Sequence, residues 1–470
     1  MWFPRPSRAR PSCVSRSVIA GLTLVVAGGL AGVARAADDA VAMVVDLVSR
    51  DDADFRAIGF DRISHAAKGE AATRAFADLL AKQKPERQVE LLRALAERGD
   101  KAALPAITAL LGQARDPAVR AAALTALGAL GGGSEVGVIQ QSLAAGDPER
   151  AAARRALTVI RGDDSVRQII EAVKTAAPAV RPVLVDVLAD RRVRSAVSDL
   201  AEMAAGDVPA VRQAALRALG GFGGAAQLPA MITGLLKAAG GNERQEAERA
   251  VVAVCTRNPG HDEAAKVFLD RFKAAPESEQ ETLLTALGGI GGSGAMAIID
   301  GLIGDADAAK KKFGLKAISR WPDATVAPRL LDLVATSQDP ADRNLLLAAL
   351  IRIAPLPENK LNDAQKLDLV KRTMALCQTD EERAKLIERV NAIRTIDSFR
   401  YVTGFLDTPE LAEPACKSVV ELAHHRQLRD AHKDEFAKAL DKVIGTTKNK
   451  ELVDRANAYK AGKTWERKKG

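Results

Sequence analysis

Aromatic residues are scarce in this sequence: Phe, Trp and Tyr make up 3% of 470 residues, against 47% for hydrophobic residues as a whole. The apolar content is carried by Ala, Leu, Val and Ile, which suits close-packed helices better than strands. The same shortage argues against sugar binding, because beyond residue 36 only Trp321, Trp465, Tyr401 and Tyr459 offer large polar aromatic platforms. Trp321 stands before Pro322 at the end of a helical run and reads as packing. Histidine is as rare. His65, His261, His424, His425 and His432 nowhere form HExxH or stand directly before Glu. His425 and His432, with Cys416 further back, come nearest to a ligand set, but their spacing matches no metal motif. No metal and no other cofactor is expected. Of four cysteines, Cys13 precedes an apolar N-terminal run, and Cys255, Cys377 and Cys416 permit at most one internal disulfide. That excludes a disulfide framework. Cys255, within EAERAVVAVC, reads as a small buried hydrophobe, and Cys377 and Cys416 pair only if the fold brings them together. Neither a Gly-x-Ser-x-Gly elbow nor a Walker loop is present, and no pair of carboxylates stands out, so no catalytic residue is assigned.

The N-terminus reads as a secretory signal peptide over residues 1–36: Arg5, Arg8, Arg10 and Arg16, an apolar run from Val18 to Val33, then Ala34-Arg35-Ala36. The alternative is an uncleaved anchor, for which the apolar run is short and glycine-containing. Cys13 lies before the run and cannot be a lipobox cysteine, and no later stretch is long or apolar enough to cross a bilayer. Cleavage near Ala36 makes the protein periplasmic or extracellular. It also changes the electrostatics, because the formal charge of +8 includes five arginines and no acid from residues 1–36. The remainder is +3, and residues 426–470 carry a surplus of six positive charges, which leaves residues 37–425 at about −3. The positive charge belongs to the two ends, so no nucleic-acid partner is expected.

What the sequence does contain is repetition. Asp116 to Gly132, DPAVRAAALTALGALGG, returns as DVPAVRQAALRALGGFGG from Asp207 to Gly224, with one inserted residue, Val208. Val119, Ala123, Ala126, Leu127 and Leu130 form one helical stripe. Asp116 and Pro117 mark a helix start, and Gly131 to Gly133 are expected to end it through left-handed geometry. A second helix follows, with Val136, Ile139 and Leu143 on one side. Units of this kind begin near Asp51, Pro85, Asp116, Asp147, Ala176, Asp207, Asn242, Glu277, Asp307, Asp339, Asp380 and Thr408, mostly 28 to 35 residues apart. That period predicts an all-α fold, an α-solenoid of stacked helical hairpins, because one hairpin cannot bury its apolar faces alone. Tetratricopeptide repeats would need Trp and Tyr positions, and ankyrin repeats a TPLH-like turn, and neither is present. GIGGSG at Gly289 to Gly294 satisfies G-x-G-x-x-G, but the preceding ETLLTAL is helical, so it reads as an inter-helix turn.

These two units resemble HEAT repeats, specifically the short bacterial kind also called phycobilisome-lyase-type. The resemblance spans most of Asp51 to about Val443 and weakens at Glu277 to Gly292, where Glu279 and Gln280 replace Val and Arg. It implies a right-handed, armadillo-type superhelix with a polar ladder of Asp and Arg between neighbouring repeats, so Arg120 and Arg212 are given structural roles. It differs from deoxyhypusine hydroxylases, whose iron is held by His-Glu pairs, since His261 is followed by Asp262. The expected organisation is a signal peptide (1–36), a capping helix (37–50, with AVAMVVDLV from Ala40 to Val48) and a solenoid (51–445). A bend or subdomain boundary is expected near 354–363, where APLP interrupts the pattern, and a basic C-terminal tail (446–470) holding a final helix completes the chain. The expected function is an exported, non-enzymatic scaffold that binds a protein or peptide on its concave face. Two rivals are a lyase-like or enzyme-accessory protein handling a small ligand, as the resemblance implies, and an envelope-attachment module. The latter would touch an anionic membrane or acidic partner through Lys463, Trp465, Arg467, Lys468 and Lys469.

Overall fold

The computed structural model describes residues 39–66, 68–257, 261–357 and 360–465. The expected signal peptide with Cys13, and the tail cations Arg467, Lys468 and Lys469, lie outside the described residues, as does the side chain of His261. Every regular element among the described residues is a helix, and the architecture is the all-α solenoid of helical hairpins that the period predicts.

The helix Pro117–Leu130 shows how the repeat forms. The Asp116 carboxylate accepts from the amides of Ala118 and Val119 at 2.7 and 3.2 Å, satisfying donors that the first turn leaves unpaired. Val119, Ala123, Ala126, Leu127 and Leu130 are all buried, as the stripe predicts. Asp307 and Asp339 build the same start, and Thr379 with Glu382 closes a capping box. The stop differs from expectation. Gly131 is extended, with φ −73°, and not left-handed. Glycine is needed there for space: a Cβ on Gly131 would come 2.5 Å from the Leu127 carbonyl oxygen, and one on Gly133 would overlap the Asp164 carboxylate. Left-handed backbone does occur in the GIGGSG turn, at Gly291 and Gly292 with φ +73° and +87°.

The chain divides into two compact units, at Ala218 and Leu219. In the first, the motif-bearing helices Ala53–His65, Pro85–Arg98, Pro117–Leu130 and Glu149–Val159 pack one against the next in a single layer. The second helices of the hairpins, such as Gly133–Gln141 and Asp163–Thr175, pack together behind them. Residues 39–49 form the expected first helix, with Val44 and Val48 buried, and Val48 sits over Gly59, where a Cβ would come 2.7 Å from it. In the second unit, Gly241–Thr256, Glu277–Ile290, Ala308–Ile318, Pro340–Ile353, Asp380–Val390 and Ala412–His424 form the corresponding succession. The APLP stretch lies within this unit, after Pro340–Ile353 and before Asp363–Leu376. Within residues 446–470, Lys450–Lys460 is a helix that buries Leu452, Ala456 and Tyr459 against Ala412–His424 and Lys433–Thr446.

The recurring Leu-Gly pair sets how closely motif helices approach. A Cβ on Gly128 would come 2.6 Å from Ala156 Cα, one on Gly220 would come 3.0 Å from Ala250 Cα, and one on Gly288 would overlap the carbonyl of Ala317. Small residues face each other at each crossing, which lets the two backbones touch.

Candidate functional site

Two sets of polar contacts hold the motif helices in place. In the first, the residue at the motif's arginine position reaches back to carbonyls at the end of the preceding helix. Arg120 donates to Leu111 and Ala114 oxygens at 2.6 and 3.3 Å, Arg212 to Gly206 at 3.0 Å, and Arg244 to Ala238 at 2.9 Å. Gln280, which departs from the motif, does the same with Phe272 and Ala275 at 3.3 and 3.0 Å. The polar ladder implied by the HEAT resemblance is therefore present at Arg120 with a different acid. Arg120 forks onto Glu149, at the head of the next motif helix, with contacts of 2.7 and 2.8 Å, whereas the Asp116 carboxylate caps its own helix. The Arg120 hydrogen bond holds Glu149 below the usual carboxylate range.

The second set was not foreseen from the sequence. An arginine at or just beyond the end of a motif helix donates to the carbonyls ending the previous one. Arg98 reaches Ile63 and Ala66 at 2.8 Å, Arg191 reaches Leu157 at 2.7 Å, and Arg257 reaches Gly220 and Gly223. Arg352 reaches Ser319 and Trp321 at 3.1 and 2.6 Å, and Arg389 reaches Arg352 at 3.3 Å. A visible signal was the in-phase arginine next to each helix stop, which also resembles ordinary compensation of the helix dipole.

The second unit exposes the outer side of its motif helices, and its second layer carries a separate groove of about 450 Å³ lined by Ala327, Pro328, Ala364, Gln365, Asp368 and Arg372, among others. Positions four residues apart point outward: Gln245, Arg249 and Ala253; Glu281, Thr285 and Gly289; Lys312 and Lys316, with Arg320 in the turn beyond their helix; Asn344 and Ala348. Two grooves lie between neighbours. One, of about 550 Å³, runs between Pro340–Ile353 and Asp380–Val390 and is lined by Gln338, Asn344, Ala348, Gln378, Thr379 and Lys385, among others. At its base Arg343 and Glu382 form a part-buried pair at 2.7 Å, and Arg343 also donates to the Leu376 carbonyl at 2.6 Å. That hydrogen bond holds Glu382 low and Arg343 high, so the groove floor is neutral. The other groove, of about 280 Å³, is lined by Glu248, Arg249, Val252, Ala253, Thr285, Gly289 and Arg320. These amides, hydroxyls and cations, with the acids Glu248 and Glu381, can hydrogen-bond a polypeptide backbone and pair with its charges.

The residues singled out in the sequence do not assemble into a second site. Among the described residues no group of three or more His, Cys, Asp or Glu could hold a metal. His424 Nδ1 lies 2.9 Å from the Tyr459 hydroxyl, and burial lowers the pKa of His425. Trp321 is buried and donates to Thr325 at 3.0 Å. Lys463 is exposed, while Trp465 is half-buried with the Arg455 guanidinium 5.6 Å from its ring. Cys255, Cys377 and Cys416 are buried and unpaired by disulfides. Burial pushes the Cys255 thiol up to about 12 and the other two to about 11. All three are therefore expected to resist a thiol reagent at neutral pH in the native protein and to react in denaturant. A denatured count of three marks cleavage before residue 37, and four marks retained Cys13. Fast native labelling would contradict the burial.

No curated protein matches the chain. Among solved structures it is similar to Kap121p bound to Pho4p, at 10% identity and TM-score 0.45, covering 90% of this chain and 57% of that one. It is also similar to Kap95p with RanGDP, at 12% identity and TM-score 0.45, covering 91% and 60%. For human deoxyhypusine hydroxylase the identity is 18% and the TM-score 0.24, covering 62% and 98%. The chain thus spans little more than half the length of the two Kap structures. A family model described as HEAT repeats matches residues 73–158 and 166–252, and these two stretches of the chain are HEAT repeats.

Proposed function

We propose that this protein is an exported, non-enzymatic scaffold that holds a protein or peptide partner on the concave face of its solenoid, which we assign to the outward side of the motif helices. The observation that carries the reading is the groove between Pro340–Ile353 and Asp380–Val390, whose amide and hydroxyl side chains line a floor neutralised by Arg343 and Glu382. Such a groove suits a polypeptide segment with its own hydrogen-bonding backbone. Export rests on the N-terminal pattern of cations, apolar run and Ala-Arg-Ala.

A photo-crosslinking residue at Asn344 or Ala348, compared with one at Lys266 on the second layer, tests the scaffold in cells. The expected result is a single partner joined at the first two positions and absent at the third. Equal labelling at all three, or none at any, would remove the groove as the binding site. The thiol count above tests export separately.

A further inference from the structure

We propose that Lys312, Lys316 and Arg320, with Arg249 across the smaller groove, dock an acidic segment of the partner polypeptide, an inference that rests on the scaffold reading above. The helix Ala308–Ile318, AAKKKFGLKAI, holds four lysines and no acid. Lys312 and Lys316 share one side of this helix at i and i+4, and Arg320 follows in the turn just beyond Ile318. All three are exposed, as is Arg249. Lys310 on the same helix pairs with Glu277 at 3.3 Å, and nearby Arg329 pairs with Asp300 at 3.0 Å. None of the three makes an ion pair of that kind among the described residues, although Lys312 stands near Asp339, the cap of Pro340–Ile353, whose pKa is lowered by the amides of Asp342 and Ala341 and by the Lys312 charge.

The surroundings raise the local potential further. Arg352, partly buried, has its pKa lowered by burial and by the charges of Arg320 and Arg389. Arg352 and Arg389 are engaged with helix-end carbonyls, so Arg320 is the member of this crowded trio that faces the groove. An arriving carboxylate relieves that repulsion and accepts the guanidinium fork. Val252, Ala253 and Gly289 form a low floor that lets an extended chain come close. Three acids lie among the cations: Glu248, which accepts from Thr285 at 2.6 Å, exposed Glu281, and Asp339 beside Lys312. A nucleic-acid backbone, with a charge fixed at every phosphate, would be repelled at these acids, whereas the flexible side chains of a glutamate-rich polypeptide can turn away from them.

The test uses the full mature chain and a fluorescent poly-glutamate peptide, with poly-glutamine as its neutral counterpart. The K312E/K316E/R320E variant is compared with K266E/K273E/K438E, which makes the same charge change at exposed lysines elsewhere, and circular dichroism confirms that both fold. The wild type is expected to bind poly-glutamate in a salt-sensitive way and poly-glutamine not at all. The stripe variant should lose about tenfold in affinity, the order expected for three exposed ion pairs, while the control variant stays near wild type. Equal loss in both variants, or no poly-glutamate binding, overturns the assignment. So does equally tight binding of a single-stranded oligonucleotide that the stripe variant also loses, since the surface would then be a general polyanion site. If the partner crosslinked at Asn344 is retained by the stripe variant, the acidic-segment inference fails and the scaffold stands; if none crosslinks there, the scaffold reading fails.

Discussion

Gly288→Ala should destabilise the second unit by about 3 kcal/mol, the upper range for overpacking a tight core. Its added Cβ would overlap the backbone of Ala317, which no side-chain rotation can relieve. Gly128→Ala should follow, with its Cβ 2.6 Å from Ala156 Cα, and Gly220→Ala should cost least, at 3.0 Å from Ala250 Cα. Gly301→Ala is the matched control: Gly301 lies inside the helix Ser293–Ile303 with nothing within 4 Å of its added Cβ. There alanine should stabilise by about 0.5–1 kcal/mol by restricting the unfolded chain. Urea midpoints for the four variants give the order directly. Coincident midpoints for the variants at 288 and 301 would show that the Leu-Gly crossing is not the point of closest approach.

Arg343→Met is expected to cost about 2 kcal/mol, toward the low end for a charge-assisted pair that is part-buried. The low end applies because Glu382 keeps the amides of Gln378 and Thr379, at 2.7 and 3.2 Å, while the Leu376 carbonyl loses its donor. The effect should depend on pH. Glu382 is held below the ordinary carboxylate value chiefly by Arg343, so the pair's stabilisation is fully present above the unfolded value of about 4.3. It is lost as pH falls through the lower folded value. The wild type should therefore lose stability on acidification more steeply than Arg343→Met, and the two urea midpoints should converge in acid. A gap that stays constant from neutral to acidic pH would exclude ionisation of Glu382 as the source.

Residues with short-range consequences were the legible ones. Asp116 before Pro117, the Val119 to Leu130 stripe and the Leu-Gly pairs declare a helix start, a buried face and a close crossing, all at fixed local spacing. Gln280 shows where local reading stops. It breaks the pattern, yet its amide bonds the same helix-end carbonyls as an arginine, because the carbonyls need a donor and not a charge. The arginines at the ends of motif helices were opaque for another reason: their acceptors lie some 30 to 40 positions earlier, as with Arg352 and Trp321 or Arg191 and Leu157. The outward face was harder still. Lys312, Lys316 and Arg320 look like any solvated helical face until the neighbouring helices show which cations already have partners.

The glycine crossings also act as a ruler. Packed motif helices lie within the usual interaxial range of about 8–10 Å, held close where Gly288 meets Ala317. A polyproline II segment advances about 3.1 Å per residue with three residues per turn, so one of its turns matches one helix step. A partner laid across Glu277–Ile290, Ala308–Ile318 and Pro340–Ile353 in that form would present every third side chain to successive helices. Thr285, Lys316 and Ala348, which share one outward position, would then each meet an equivalent residue of the partner, and recognition would follow a three-residue phase in the partner's own sequence.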